Sequence, residues 1–143
     1  MANNYLLFSE VLTLKNKKEE KWAREELTRL SEAEDGNGCP VIDFQWNIED
    51  GGIWFYTEEA GEPNTVGTFV QSFLKKFYPE DVWKLTWAAT CSKPRIGEFS
   101  GGAMVVTAKK IYFMEASDWA YRKTKELDRI KELMKTKKSK AKR

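Results

Sequence analysis

The segment Asn64-Thr-Val-Gly-Thr-Phe-Val-Gln-Ser-Phe-Leu-Lys-Lys-Phe77 decides the fold of this chain. Its apolar residues recur at steps of three and four, the spacing that lines one face of an α-helix. With Asn64 or Thr65 as the N-cap and Pro79 as the stop, the pattern predicts a helix whose apolar face lies on a β-sheet. The residues of that face are Val66, Phe69, Val70, Phe73, Leu74 and Phe77.

Two strands are predicted before this helix. Apolar and polar residues alternate from Ile42 to Ile48, a period of two that is typical of a strand with one buried face. The turn at residues 49–52 contains Asp50-Gly51, a pair that readily adopts the positive φ of a tight hairpin. Residues 53–59 are therefore expected to form the return strand.

The N-terminal part is predicted to form a strand and then a helix. Residues 4–14 are apolar and compatible with β structure. Asn16 and Glu19 have the spacing of a capping box, in which two side chains satisfy free amide groups at the start of a helix. The polar cluster at residues 34–38 ends this first helix.

After the phenylalanine-rich helix, the pattern predicts strands over residues 82–91, 102–107 and 111–115. Ser117 then caps a third helix that ends at about Met134, and a disordered basic tail covers residues 135–143. The resulting β-α-β-β-α-β order predicts one α+β domain over residues 1–134. We expect a single antiparallel sheet with ferredoxin-like or related order, extended by a C-terminal hairpin strand and a third helix. The alternative is a longer antiparallel sheet curled around the phenylalanine-rich helix.

The composition excludes several kinds of chemistry. The 143 residues include no His and two Cys, so His-based nucleophile systems and imidazole or four-cysteine zinc sites are excluded. We expect no metal and no cofactor. The N-terminus lacks a signal-peptide pattern, and no apolar run approaches the roughly 18 residues of a membrane span. These features predict a cytoplasmic protein with no membrane partner, in which a disulfide between Cys39 and Cys91 stays open.

The charges are strongly segregated along the chain. The formal net charge is +2, yet residues 30–74 contain nine acidic residues and no Lys or Arg. Our leading hypothesis is a non-enzymatic binding module that engages a basic protein partner through an acidic surface over residues 30–62, because opposite charge speeds encounter and sets specificity. The candidate binding residues are Asp43, Glu49, Asp50, Glu58, Glu59 and Glu62.

The last nine residues carry six basic residues and no acid. The alternative function is therefore weak, sequence-independent binding of nucleic acid through this tail, because lysines that neutralise phosphates release counterions. A solubilising terminus is the other interpretation. The candidate residues are Lys137, Lys138, Lys140, Lys142 and Arg143.

One segment supports a family resemblance. It is Trp83-Lys-Leu-Thr-Trp-Ala-Ala-Thr-Cys-Ser-Lys-Pro-Arg-Ile-Gly-Glu-Phe-Ser-Gly-Gly-Ala103, which runs from strand into loop and back into strand. This segment resembles a family of short uncharacterised proteins from bacteria and their phages, and the resemblance is clearest over residues 52–107. It implies a related fold and a phage or mobile-element context, and it implies no activity and no catalytic residues.

The loop within that segment, residues 92–101, is a second candidate binding site. Lys93 and Arg95 supply two cations, Glu98 supplies a carboxylate, and the glycines permit close approach of a ligand. The other interpretation is a hairpin loop in which Arg95 and Glu98 form a surface ion pair. A third class of function, a metal-independent enzyme that uses Cys91 and this loop, lacks a full set of nucleophile, base and orienting group.

The aromatic residues of the predicted strands raise a further question. If Ile53 and Phe55 face the helices, Trp54 and Tyr56 must face the other way. An open aromatic sheet face stacks nucleic-acid bases in some domains, but here the surrounding acidic residues would repel phosphates. We expect the third helix or a second copy of the chain to cover these rings, so a homodimer stays open.

Overall fold

The computed structural model describes residues 2–141, and the α+β class with three helices is confirmed. The phenylalanine-rich segment forms the second of these helices. The elements in chain order are β1 (Asn4–Leu7), β2 (Ser9–Thr13), α1 (Lys17–Glu32), β3 (Gln45–Glu49), β4 (Gly52–Tyr56), α2 (Pro63–Phe77), β5 (Val82–Cys91), β6 (Ser100–Thr107), β7 (Ile111–Glu115) and α3 (Ala116–Ala141).

The predicted single sheet is wrong. The strands form two antiparallel sheets, one of four strands in the order β1-β5-β6-β7 and one of three strands in the order β2-β4-β3. The ferredoxin-like order is therefore absent from the described chain. The hairpin between β3 and β4 is present as predicted, with Glu49 paired to Gly52.

The division between the sheets arises at Phe8, where the predicted first strand breaks in two. The Phe8 amide donates to Thr57 Oγ1 over 3.2 Å, and its carbonyl accepts from the Thr57 amide over 3.1 Å. The ring of Phe8 is buried. These contacts direct the chain out of β1, which pairs with β5, and into β2, which pairs with β4.

The face of α2 packs on both sheets. Its Phe69 ring lies 5.8 Å from the ring of Phe55 in the smaller sheet. In the larger sheet, the carbonyl of Thr107 accepts from Gln71 Nε2 over 3.0 Å. The expected position of the phenylalanine face against β structure is therefore confirmed, and α2 contacts both sheets.

The predicted starts of the first two helices have different outcomes. Asn16 caps α1, because its Oδ1 accepts from the Glu19 amide over 3.0 Å. The second half of the capping box is not made, since Glu19 Oε2 accepts from the Tyr78 hydroxyl instead. For α2 the predicted caps Asn64 and Thr65 are wrong, because the helix already begins at Pro63. A proline fits the first turn, where its missing N–H would have no partner.

The third helix is longer than predicted at both ends. Ser117 is not its cap, because the helix already begins at Ala116. Residues 135–141, expected to be disordered, continue α3 to Ala141, while Lys142 and Arg143 lie outside the described residues. Basic side chains near a helix C-terminus interact favourably with the helix dipole, which supports this extension. The helix contacts β6 and β7, so the expected cover over Trp54 is not α3. That ring stacks on Tyr56 with a centroid separation of 3.9 Å.

Candidate functional site

A cleft of about 430 Å³ lies where β1, the loop before α2 and the loop between β5 and β6 come together. It joins two regions that the sequence treated as separate candidates, the acidic segment and the loop at residues 92–101. Polar groups from five segments line it. The lining residues include Asp43, Glu62 and Glu98, which carry carboxylates, and Tyr5, Thr90 and Ser100, which carry hydroxyls.

Two of the carboxylates are placed by the start of α2. Asp43 Oδ1 accepts a hydrogen bond from the Glu62 amide over 2.9 Å. Amide groups at the start of a helix have no partner within the helix, and the dipole favours a negative charge there. Asp43 is thereby held beside Glu62, whose own exposed side chain lies at the N-cap.

Glu98 lines the cleft from the loop between β5 and β6. The preceding Gly97 has a φ of 80°, a conformation that glycine adopts without strain. The Glu98 amide donates to the carbonyl of Arg95. Among residues 2–141, no ion pair joins the side chains of Arg95 and Glu98. The predicted surface pair is therefore not formed.

The base of this loop is tied to the N-terminal segment. The Ser92 amide donates to the carbonyl of Asn3, and the Asn3 amide donates to Ser92 Oγ, both over 2.8 Å. The pairing of β1 with β5 then sets Tyr5 opposite Thr90. These two hydroxyl residues line the cleft and were missed from the sequence, because only the long-range pairing of β1 brings them there.

The other four acidic candidate residues lie at two different ends of the smaller sheet. Glu58 and Glu59 follow β4 at the cleft end of the smaller sheet, and both side chains are exposed. Glu49 and Asp50 lie in the hairpin turn at the other end of β4. The segment 30–62 therefore presents acidic groups at two ends of a sheet rather than on one surface.

The basic candidate residues do not line the cleft. Lys93 and Arg95 are exposed on the outer part of the loop, and the described residues that line the cleft include no Lys or Arg. Three uncompensated carboxylates in a concave surface focus a negative potential and attract cationic groups. Lys137, Lys138 and Lys140 are exposed on the last turns of α3.

Metal-ligating side chains and thiols are the other chemistry-bearing groups of the chain. Within the described part of the chain, no group of three or more His, Cys, Asp or Glu side chains is placed to hold a metal ion. Cys39 is exposed and Cys91 is half-buried, and both are free thiols.

A smaller hollow of about 220 Å³ lies between α1 and α2. Its walls include Leu30 and Phe69, and its charged groups, Glu26 and Arg29, form an ion pair with each other. Because this pair is satisfied internally, the hollow offers a ligand less charge than the cleft does.

Comparisons with known protein families, with curated proteins and with solved structures find no match to this chain. The family resemblance of residues 83–103 stays a prediction. None of the described helices combines the length and the apolar character needed to cross a membrane.

Proposed function

We propose that this protein is a non-enzymatic binding module whose cleft takes a basic segment of a protein partner. The observation that carries the proposal is the convergence of Asp43, Glu62 and Glu98, from three separate segments, on one cleft without a lining base. Surface carboxylates scattered along a chain would not be expected to meet in a concave site.

The walls of the cleft favour long basic side chains over small cations. Leu6, Ala60 and Ala89 contribute apolar surface beside the carboxylates. Lysine and arginine bury aliphatic stems against such surface while their charged heads reach polar groups. A volume of about 430 Å³ falls within the range of pockets that bind small ligands, and it suits a few side chains of a peptide.

Glu58 and Glu59 support the same proposal from outside the cleft. Both are exposed and directly precede Ala60, which lines the cleft. Charges at the rim of an interface act mainly on the rate of encounter. In the phage or mobile-element context that the family resemblance implies, a nucleic-acid-binding protein is the basic partner that we propose.

Charge reversal in the cleft tests this proposal. We expect Glu62→Lys combined with Glu98→Lys to weaken binding of a fluorescent Lys- and Arg-rich peptide by about tenfold or more, equivalent to about 1.4 kcal/mol, measured by anisotropy at fixed salt. The expected loss arises because two attractive contacts become repulsive.

The matched control is Glu32→Lys combined with Glu49→Lys, which makes the same change in net charge at exposed positions that do not line the cleft. We expect this control to change the affinity less than threefold. An equal loss in both variants would mean that the peptide senses only the overall charge, and the cleft would then not be the site.

The helical form of residues 135–141 favours a second candidate function, weak binding of nucleic acid. It arranges Lys135, Lys137, Lys138 and Lys140 along two exposed turns of α3. We expect replacement of these four lysines by Gln to abolish a gel shift of duplex DNA at low salt and to flatten its salt dependence. A shift that survives unchanged would reject this function for α3.

A further inference from the structure

The third helix leaves its apolar side chains uncovered. In this described 26-residue helix no residue is buried. Leu127, Ile130, Leu133 and Met134 are each between 44% and 61% exposed. Most helical stability in proteins comes from packing of an apolar face, so a helix of this kind requires a partner surface.

The spacing of these residues identifies the partner as another helix. Ala120, Leu127, Ile130 and Met134 follow one another at steps of seven, three and four, the spacing of a coiled-coil seam. Lys123 and Lys137 take the other positions of the same seam. Leu133 lies at its flank.

We infer that α3 pairs antiparallel with α3 of a second copy of this chain, so that the basic end of each helix lies beside the acidic cleft of the other copy. The second part of this inference rests on the proposed function of the cleft. The first part rests on the seam and on the charges of α3.

The distribution of charge selects the antiparallel direction. Residues 116–128 carry three basic and three acidic residues, whereas residues 129–141 carry six basic residues and one acidic residue. A parallel pair would place the two strongly basic halves together, and like charges repel. An antiparallel pair places each basic half against a neutral half and also sets opposite ends of the helix dipoles side by side.

The seam also defines the register. If Leu127 packs opposite Ile130 of the second copy, then Lys137 of the second copy lies level with Ala120. The small side chain of Ala120 leaves room for the aliphatic stem of that lysine. The seam lysine Lys123 then lies level with the flexible side chain of Met134 in the second copy, which adapts to irregular neighbours.

This register brings the basic end to the cleft. Ser117, in the first turn of α3, lies with its Oγ 3.0 Å from Ser100 Oγ, and Ser100 lines the cleft together with Glu98. The lysines at residues 137–140 of the second copy would lie level with this first turn. Charge complementarity therefore favours a second copy of the chain as the partner of α3.

The oligomeric state of the full chain tests the pairing. We expect sedimentation equilibrium to show a reversible dimer, and we expect Ile130→Gln combined with Met134→Gln to raise its dissociation constant at least tenfold. The matched control, Thr136→Gln combined with Ser139→Gln, changes two exposed residues outside the seam and should leave the dimer unchanged. A wild-type chain that stays monomeric at high concentration would overturn the inference. The inference would also be overturned if the protein is monomeric and the seam residues bind anionic vesicles or DNA.

Disulfide trapping tests the direction, in a chain that carries Cys39→Ser and Cys91→Ser. Ala120→Cys mixed with Lys137→Cys should form a disulfide between copies, whereas each variant alone should form none. Self-linking of Ala120→Cys would show a parallel pair and overturn the antiparallel direction.

Glu62→Lys combined with Glu98→Lys separates the two parts of the inference. Weaker dimerisation of this variant than of the wild type supports contact between the basic end and the cleft. Unchanged dimerisation overturns that contact and leaves the helix pairing intact. Peptide binding by the cleft, measured with the Ile130→Gln and Met134→Gln chain, reports on the proposed function independently of the dimer.

Discussion

Replacing Phe55 by alanine is expected to lower the free energy of unfolding by about 3–5 kcal/mol. The side chain is fully buried in β4. Its ring centroid lies 5.6 Å from that of Phe44, 5.8 Å from that of Phe69 and 5.9 Å from that of Trp83. These neighbours come from the larger sheet, α2 and a loop, so they cannot all move inward to fill the space that alanine would leave.

Urea denaturation followed by circular dichroism measures this loss, and the neighbouring Trp54 supplies the control. Trp54 points to the opposite side of the same strand and is 42% exposed. We expect Trp54→Ala to cost less than half as much as Phe55→Ala, even though it removes the stack on Tyr56 and a hydrogen bond to Ser9. Equal losses would contradict the position of Phe55 at the junction of the core.

Replacing Glu19 by methionine is expected to raise the free energy of unfolding by about 1–3 kcal/mol, the penalty of a buried acceptor that has no hydrogen-bond partner. Glu19 is 1% exposed. Its Oε2 accepts from the Tyr78 hydroxyl over 2.9 Å, while Oε1 has no hydrogen-bond partner among the described residues. A buried carboxylate with an unpaired oxygen destabilises the fold, and methionine fills a similar volume without that penalty.

Urea denaturation also measures the effect of Glu19→Met. Tyr78→Phe is the comparison variant, for which a change in the opposite direction is expected. Tyr78→Phe removes the hydroxyl that donates to the buried carboxylate, so it is expected to destabilise the wild-type chain. In a chain that already carries Glu19→Met, the same substitution should have little effect. Destabilisation by Glu19→Met, or equal effects of Tyr78→Phe in both chains, would contradict this account.

The hydroxyl of Tyr78 also predicts a dependence on pH. Desolvation, and then the hydrogen bond to Glu19, raise the pKa of Tyr78 above its usual value of 10.0. The neutral phenol is thus favoured in the folded state, and the stability that it contributes is complete below the unfolded pKa. This contribution is lost as pH rises through the folded pKa. Above pH 10.0, the free energy of unfolding should therefore fall more steeply with pH in the wild type than in the Tyr78→Phe variant.

Much of the fold was predictable from local patterns. The three- and four-residue steps of α2 identified the face that packs on the sheets, and Asn16 identified the start of α1. The hairpin at residues 49–52 followed from its turn residues. In each case the decisive interactions lie within a few residues of one another, so the sequence contains them directly.

The division into two sheets was not predictable in the same way. Residues 4–14 have one continuous β-compatible pattern, and the break at Phe8 depends on the side chain and amide of Thr57. A contact over such a separation leaves no periodic signal in either segment. The disordered tail was predicted from composition alone, which does not include the favourable placement of lysines at the end of a helix.

The candidate site shows the same limit. The sequence alone determined that residues 30–74 are acidic and free of bases, and that His-based chemistry is excluded. It did not determine which carboxylates meet. A five-residue strand spans about 16 Å, at roughly 3.3 Å per residue, so β4 separates Asp50 from Glu58 although they are close in sequence. The tertiary structure places Asp43, Glu62 and Glu98 around the same cleft, because strand pairing and the start of α2 bring distant segments together there.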